Sequence, residues 1–173
     1  MSINKAFTFV APNMSPLAFR LSLLAIVVVV AFGAVLDVME VDAAQYAAMS
    51  ADLLRQDNWL TFYHRGEDYL DKPPLLFWLS ALSFKVFGVH NWSYKLPSIL
   101  FAFLGLFSTY RFTRMFHGVD VARRAVLMLG SSAAFLLMTN DIRCDTILTG
   151  SVITAIWVGA AWLVERRWWQ LVV

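Results

Sequence analysis

Carboxylates accompanied by basic side chains occur at three points in this chain. They are Asp42, the adjacent pair Asp71 and Lys72, and a short stretch from 141 to 145 that contains two aspartates around Arg143. A carboxylate can accept a proton in a general-base step, and a fixed cation can hold a phosphate group. Nothing in the sequence suggests a Ser/His/Asp set or a glycine-rich phosphate loop, and the three histidines are scattered. The candidate chemistry is therefore proton transfer beside a bound phosphate.

Each of these groups also has a purely structural interpretation. Asp42 and Gln45 have the spacing of a helix-capping pair, in which the aspartate contributes about 1 kcal/mol. Asp71 and Lys72 could form an interfacial ion pair, and Arg143 could pair with a neighbouring aspartate instead of holding phosphate. Lys95 could extend its ammonium group to the membrane surface or join a phosphate site.

The composition places these groups in a membrane protein. Of 173 residues, 60% are apolar and only 15% are charged, whereas soluble domains carry about 25% charged residues. The net charge of +2 includes no basic block, so nothing suggests nucleic-acid binding. We therefore expect an all-α polytopic membrane protein.

Four apolar stretches predict transmembrane helices, because a span needs about 20 mostly apolar residues. They cover residues 21–36, 93–110, 125–140 and 146–164. A fifth stretch, Pro73–Val89, is short and opens with two prolines. The last residues, after 165, resemble the start of another span, which leads us to expect a fragment of a longer protein.

Charge decides the topology, since basic residues concentrate in short cytoplasmic loops. With Pro73–Val89 as a juxtamembrane helix outside, segments 1–20, 111–124 and 165–173 face the cytoplasm and carry eight basic and two acidic residues. The outer loop 37–92 and the turn 141–145 then lie on the other side. This arrangement puts all three groups of carboxylates on the outer face.

The outer loop carries two predicted short helices. Tyr46, Met49 and Leu53 recur at spacings of three and four, which indicates one apolar helix face that ends near Arg55. The prolines after Lys72 favour the start of a second helix.

Several motifs in this region resemble those of the bacterial polyprenyl-phosphate-sugar glycosyltransferases. These GT-C type membrane enzymes include the aminoarabinose transferases that modify lipid A and relatives of the protein O-mannosyltransferases. The similar segments begin at Asp42 (DAAQYA), Asp57 (DNWL), Tyr69 (YLDKPPLLFWL), Phe87 (FG) and Lys95 (KLPS). The resemblance covers roughly residues 37–165.

The resemblance implies a sugar transferred from a polyprenyl-phosphate carrier to a lipid or protein acceptor, outside the cytoplasm at the bacterial inner membrane. It implies catalytic roles for Asp42 and Asp145, and a metal-binding role for Asp71, so a divalent metal ion is the one candidate cofactor. Two departures are present: alanine follows Asp42 where the family often has glutamate, and Asp71 stands where glutamate is frequent. The substrate-binding candidates are Lys72, Arg143, Tyr46 and Lys95.

One hypothesis from another class remains open. The chain could be a non-catalytic four-helix subunit of a membrane assembly or transporter, in which case Asp42→Asn would be harmless. The sequence names neither the sugar nor the acceptor.

Overall fold

The computed structural model describes residues 13–56, 59–64 and 66–166, apart from the side chain of Glu165, and this part of the chain is mostly helical. Its helices and strands, in chain order, are α1 (Pro16–Val35), α2 (Val41–Gln56), β1 (Tyr63–His64), β2 (Glu67–Asp68), α3 (Leu75–Phe87), α4 (Asn91–Gly130), α5 (Ala133–Asn140) and α6 (Cys144–Glu165).

Three of the described helices, α1, α4 and α6, are long and apolar enough to cross a membrane by length and composition. They contain the predicted first, second and fourth spans. The chain is thus an all-α polytopic membrane protein, as its composition predicts. The count of four spans stays a prediction.

Helix α4 has 40 residues, about twice the length of one span, and it reverses direction at Gly118. That glycine has φ 82° and ψ 178°, outside the helical region. Gly130 and Leu106 lie equally far along the chain from Gly118, and a Cβ on Gly130 would lie 3.3 Å from Leu106 Cδ2. On one straight helix they would be about 36 Å apart. The arms 91–117 and 119–130 are therefore antiparallel, and most of the predicted loop 111–124 is helical.

The predicted third span, 125–140, is not one continuous helix. Gly130 ends α4, a break follows at Ser131 and Ser132, and α5 completes the stretch. The Ser132 hydroxyl accepts a hydrogen bond from the Phe135 N–H and so caps α5. Serine favours such local bonds over helix continuation, which explains the break.

Helices α2 and α3 pack together at one end of the long helices. The predicted apolar face of α2 (Tyr46, Met49 and Leu53) is buried there. It joins a core that also contains Leu76, Phe77, Ala81, Phe84, Tyr94, Ile142 and Ile147. The two short helices thus close over the starts of α4 and α6.

The start of α2 differs from the predicted capping pair. The helix begins at Val41, so Asp42 lies inside the first turn instead of at the cap. The Gln45 side chain points along the helix to Met49 and does not return to the helix start. The capping interpretation of Asp42 is therefore wrong, and its carboxylate is left for other contacts.

A short antiparallel hairpin, β1 with β2, connects α2 to α3. Tyr63 pairs with Asp68 and His64 with Glu67. Gly66 has φ 86° in the turn, a conformation that glycine adopts without strain. The Trp78 indole donates to the Trp59 carbonyl at 2.7 Å and ties this connection to α3.

Helices α4 and α6 cross at two glycines. A Cβ on Gly105 would lie 3.2 Å from Gly150 Cα, and a Cβ on Gly150 would overlap the carbonyl oxygen of Phe101. Small residues at a helix crossing let two backbones approach closely, as in membrane helix pairs generally. The crossing fixes the direction of α6, and so the position of its first residues.

Candidate functional site

The end of α1 and the starts of α2, α4 and α6 meet at one end of the molecule. Long-range polar contacts join these helix ends. The Asn91 amide donates to the Asp37 carboxylate at 2.6 Å, and the Tyr94 hydroxyl donates to the Ala43 carbonyl at 2.8 Å. The carboxylates singled out by the sequence lie at this end.

Asp42 and Asp145 occupy equivalent places in two different helices. Each is the second residue of its helix, α2 or α6, and each is exposed. Backbone N–H groups at a helix start favour a negative charge there. Among the described residues, neither carboxylate is in an ion pair. Both therefore remain available to a ligand.

Lys72 lies in the exposed bend before α3, within electrostatic reach of Cys144, the residue that precedes Asp145. Beside it an apolar groove of about 350 Å³ runs between α3 and α6. Its lining consists of Pro73, Leu75, Leu76, Cys144, Ile147, Leu148 and Ser151. The lining of this hydrocarbon groove thus includes the sequence neighbours of a cation, Lys72, and of a carboxylate, Asp145.

Arg143 connects the two helix starts. Its guanidinium forms an ion pair with Glu40, which directly precedes α2, and lies within electrostatic reach of Asp42. The partner is thus neither of the two neighbouring aspartates considered from the sequence. Arg143 remains about 40% exposed, and Glu40 satisfies one side of the guanidinium.

Asp141 lies beside this ion pair. Burial and the neighbouring Glu40 carboxylate raise its pKa, while the Glu40 N–H and the Arg143 guanidinium act in the opposite direction. Its Oδ1 atom is buried and has no hydrogen-bond partner among the described residues. The Asp141 carboxyl adds negative charge below the exposed aspartates, and its Oδ1 atom is not accessible to solvent.

Tyr46, predicted to contact substrate, is 4% exposed. Its ring packs edge-on against Phe77, with centroids 5.6 Å apart, and lies near Tyr69. Burial and the Tyr69 hydroxyl raise the pKa of the Tyr46 phenol above its usual range, so it stays neutral. This placement favours a core role under Asp42 over the predicted substrate contact.

Lys95, also predicted to bind substrate, is 1% exposed. Its ammonium donates to the carbonyls of Gly33 at 3.0 Å and Leu36 at 2.9 Å, at the last turn of α1. A cation is favourable at a helix C-terminus, where carbonyls lack helical partners. The geometry favours a structural role for Lys95 and gives no support to the predicted phosphate contact.

The described residues provide no set of metal ligands around Asp71, which was predicted to bind a metal. Asp71 is exposed, and residues 13–56, 59–64 and 66–166 contain no group of three or more His, Cys, Asp or Glu side chains that could hold a metal ion. These residues alone do not fit a metal site, and metal dependence stays a prediction.

The sequence arguments did not single out Glu40, Asn91 or Tyr94. Each acts through a partner that is 50 or more positions away along the chain. The only available signal for Glu40 was its place two residues before Asp42. The distant partners become visible only when the helix ends are brought together.

Relatives of known structure share this fold. The crystal structure of ArnT from Cupriavidus metallidurans bound to undecaprenyl phosphate superimposes with a TM-score of 0.74 at 21% identity, covering 80% of this chain and 26% of that one. The apo structure of the same protein gives a TM-score of 0.70.

Two sequence relatives are named as glycosyltransferases. A putative mannosyltransferase, YycA of Bacillus subtilis, is 25% identical over 75% of this chain and 20% of its own length. An undecaprenyl phosphate-alpha-4-amino-4-deoxy-L-arabinose arabinosyl transferase of Wigglesworthia glossinidia brevipalpis is 28% identical over 58% of this chain and 17% of its own. The chain thus spans about a fifth of the length of these relatives.

The sequence pattern of one family matches residues 71–173, more than half of the chain. The chain belongs to the dolichyl-phosphate-mannose-protein mannosyltransferase family.

Proposed function

We propose that the gene product is a membrane glycosyltransferase that moves a sugar from a polyprenyl-phosphate carrier to a lipid or protein acceptor. The observation that carries this proposal is the apolar groove between α3 and α6, whose lining includes Pro73 and Cys144, the residues that directly follow Lys72 and directly precede Asp145 in the sequence. A polyprenyl phosphate needs both parts, a cation for its head and an apolar surface for its tail. The undecaprenyl phosphate bound to the Cupriavidus relative supports this substrate class.

The reaction is a displacement at the anomeric carbon of the sugar. The bond from that carbon to the phosphate oxygen breaks, and its electron pair leaves with the polyprenyl phosphate. The acceptor oxygen forms the new bond to the same carbon. A hydroxyl acceptor transfers its proton to Asp42, whereas a phosphate acceptor is already ionised and needs the aspartates only for positioning.

Lys72 supplies electrostatic stabilisation. Negative charge grows on the leaving phosphate as the bond breaks, and a fixed ammonium favours that charge more in the transition state than in the ground state. Asp145 follows Cys144 on α6, the helix that forms one wall of the groove, and orients the acceptor or the sugar. The reaction proceeds outside the cytoplasm, at the inner membrane of a bacterium, because the acidic end of the molecule faces outward under the positive-inside rule.

The test is donor-consumption kinetics on variants of the intact gene product. Lys72→Ala should lower kcat by about 10²–10³-fold, the usual cost of removing one such stabilising group. Lys85→Ala, which removes an exposed lysine near the end of α3, is the matched control and should leave the rate unchanged.

Asp42→Asn tests the base role, since asparagine keeps the size of the side chain and removes its charge. A hydroxyl acceptor predicts a loss of about 10²–10⁴-fold. Asp52→Asn on the same helix is the control. Near wild-type rates in both Lys72→Ala and Asp42→Asn would refute the catalytic proposal and favour a non-catalytic membrane subunit.

A further inference from the structure

The ion pair of Glu40 and Arg143 links the two helix starts that carry the proposed catalytic carboxylates. Glu40 precedes Asp42 by two residues, and Arg143 precedes Asp145 by two residues. The two partners are separated by 103 positions in the chain, so this contact joins α2 to α6 and not neighbours within one helix. It therefore couples the position of Asp42 on α2 to the position of Asp145 on α6.

Arg143 and Asp141 both contact Glu40: Arg143 through the ion pair, and Asp141 through hydrogen bonds with the Glu40 N–H and side chain. Asp141 faces the Glu40 carboxylate, and both groups are acidic. Two carboxylates at close range repel one another unless a cation or a proton intervenes. With Arg143 in place, the Glu40 side chain is drawn toward α6; without it, Glu40 is left facing another acid.

Other contacts keep the same helices assembled if the ion pair is lost. The buried Tyr94 hydroxyl holds the first turn of α2 against α4, and the apolar core lies below it. An ion pair that is about 40% exposed contributes little to the stability of a fold. Its loss should consequently shift the start of α2 without unfolding the protein.

We propose that Glu40 is a positioning residue, which sets the separation of Asp42 and Asp145 through its ion pair with Arg143. This inference rests on the proposed glycosyl transfer for its kinetic consequence only. It also assigns Arg143 a role different from the phosphate contact expected from the sequence. Neither Glu40 nor Arg143 takes part in bond making in this assignment.

The first test is Glu40→Gln in the intact gene product, which keeps the shape of the side chain and removes its charge. Misplacing a reacting group by about 1 Å can cost 10²-fold, so a smaller displacement should lower kcat by about tenfold, with little change in the donor KM. Asp52→Asn is the control, because Asp52 forms an exposed ion pair with Arg55 inside α2. A wild-type kcat in Glu40→Gln would overturn the proposal.

Charge reversal separates positioning from phosphate binding. Glu40→Arg and Arg143→Glu should each lower kcat, and the double variant should recover part of the loss, because the ion pair is restored although a glutamate at 143 then faces Asp42 and Asp141. If Arg143 instead held the donor phosphate, the double variant would stay as slow as Arg143→Glu alone, which would overturn the proposal. The reversed pair Asp52→Arg with Arg55→Asp controls for charge exchange on α2.

A distance measurement gives a readout that does not depend on activity. Spin labels at Ala44 on α2 and Leu148 on α6, both exposed and the second in the groove lining, report the separation of the two helix starts once Cys144 and every other cysteine of the gene product are replaced by alanine. Glu40→Gln should broaden or shift the distance distribution, and the double reversal should restore it. An unchanged distribution in Glu40→Gln would overturn the proposal. A changed distribution in a gene product without transferase activity would support the positioning role and refute the proposed function.

Discussion

At the scale of single residues, buried ionisable groups define this end of the molecule. Lys95 and Asp141 are both partly shielded from water, and they differ in how many hydrogen-bond partners their charged groups have. Lys95 satisfies two carbonyls at the end of α1, whereas Asp141 keeps one carboxylate oxygen without a partner in the described part of the chain. Their substitution should therefore have opposite effects on stability.

Lys95→Met should lower the free energy of unfolding by about 1.5–3 kcal/mol, the usual worth of hydrogen bonds from a charged group. Methionine fills a similar volume but leaves the Leu36 carbonyl without its donor. Thermal unfolding in detergent measures the change, with Lys85→Met at an exposed site as the control. A loss of activity with unchanged stability would instead favour the substrate contact expected from the sequence.

Asp141→Asn should stabilise the protein at neutral pH. The pKa of Asp141 in the folded state is raised above its ordinary value of 3.8. Between those two values the folded state binds more protons than the unfolded state, so stability falls as pH rises through that window and stays low above it. Asparagine removes the titration and its cost.

The measurement for this pH effect is the denaturation midpoint of both proteins across pH. The advantage of Asp141→Asn should disappear as pH falls toward the ordinary aspartate value. Glu67→Gln, in the exposed hairpin, controls for the loss of a carboxylate. A variant less stable than wild type at neutral pH would mean that the Arg143 guanidinium outweighs burial.

At the scale of elements, the crossing of α4 and α6 depends on glycine. Gly150→Ala would force Cβ into the Phe101 carbonyl, which belongs to backbone and cannot rotate away. We expect a loss of about 1–3 kcal/mol, typical of overpacking. Gly159→Ala on the same helix has no atom within 4 Å of its new Cβ and should be neutral or slightly stabilising. Equal melting temperatures for both variants would contradict this account of the crossing.

The spacing of apolar residues predicted a helix correctly where its apolar face is the face that packs against the core. The α2 face of Tyr46, Met49 and Leu53 is an example, because its spacing alone determines which side is buried. The reversal inside α4 was expected as a loop, since glycine and charge near 118 indicate a break without indicating how short it is. The break before α5 is signalled only by Gly130 and the two serines that follow it.

The sequence proposed the residues of the candidate site, whose roles stay predictions, but few of the contacts that those residues make. Asp42, Lys72 and Asp145 were found because charge is rare in so apolar a chain. The partner of Arg143 was missed because the nearest acids in sequence are Asp141 and Asp145, while the one that meets it is Glu40. The separation of two residues along the chain does not show which helix ends lie together in the folded protein.

At the scale of the whole molecule, the two ends of the helix assembly differ in charge. The end with α2 and α3 carries most of the acids, whereas the other end, at the reversal of α4, carries Arg111, Arg114, Arg123 and Arg124. At that basic end Arg123 donates to the Met14 carbonyl and lies over the Phe19 ring, which holds the start of α1 there. The structure thus separates the charges that the positive-inside rule would sort across a membrane.

Single cysteines introduced into a gene product whose native cysteines, Cys144 among them, are replaced by alanine test the resulting orientation. Cysteines at Glu67 and Val89, both exposed, should react with a membrane-impermeant thiol reagent on intact cells, and a cysteine at His117 should be protected. If α3 crossed the membrane, the pattern at Val89 and His117 would reverse. Permeabilised cells, in which all three should react, are the control.

The contact between Lys95 and the last turn of α1 has a consequence for biogenesis. Lys95 lies in the second turn of α4, near the end of the span, and its ammonium group is buried instead of reaching the membrane surface. Here the carbonyls that compensate for it belong to a helix synthesised earlier. Because α1 is synthesised before α4, the carbonyls of its last turn already exist when Lys95 emerges, and the two helices can enter the bilayer as partners.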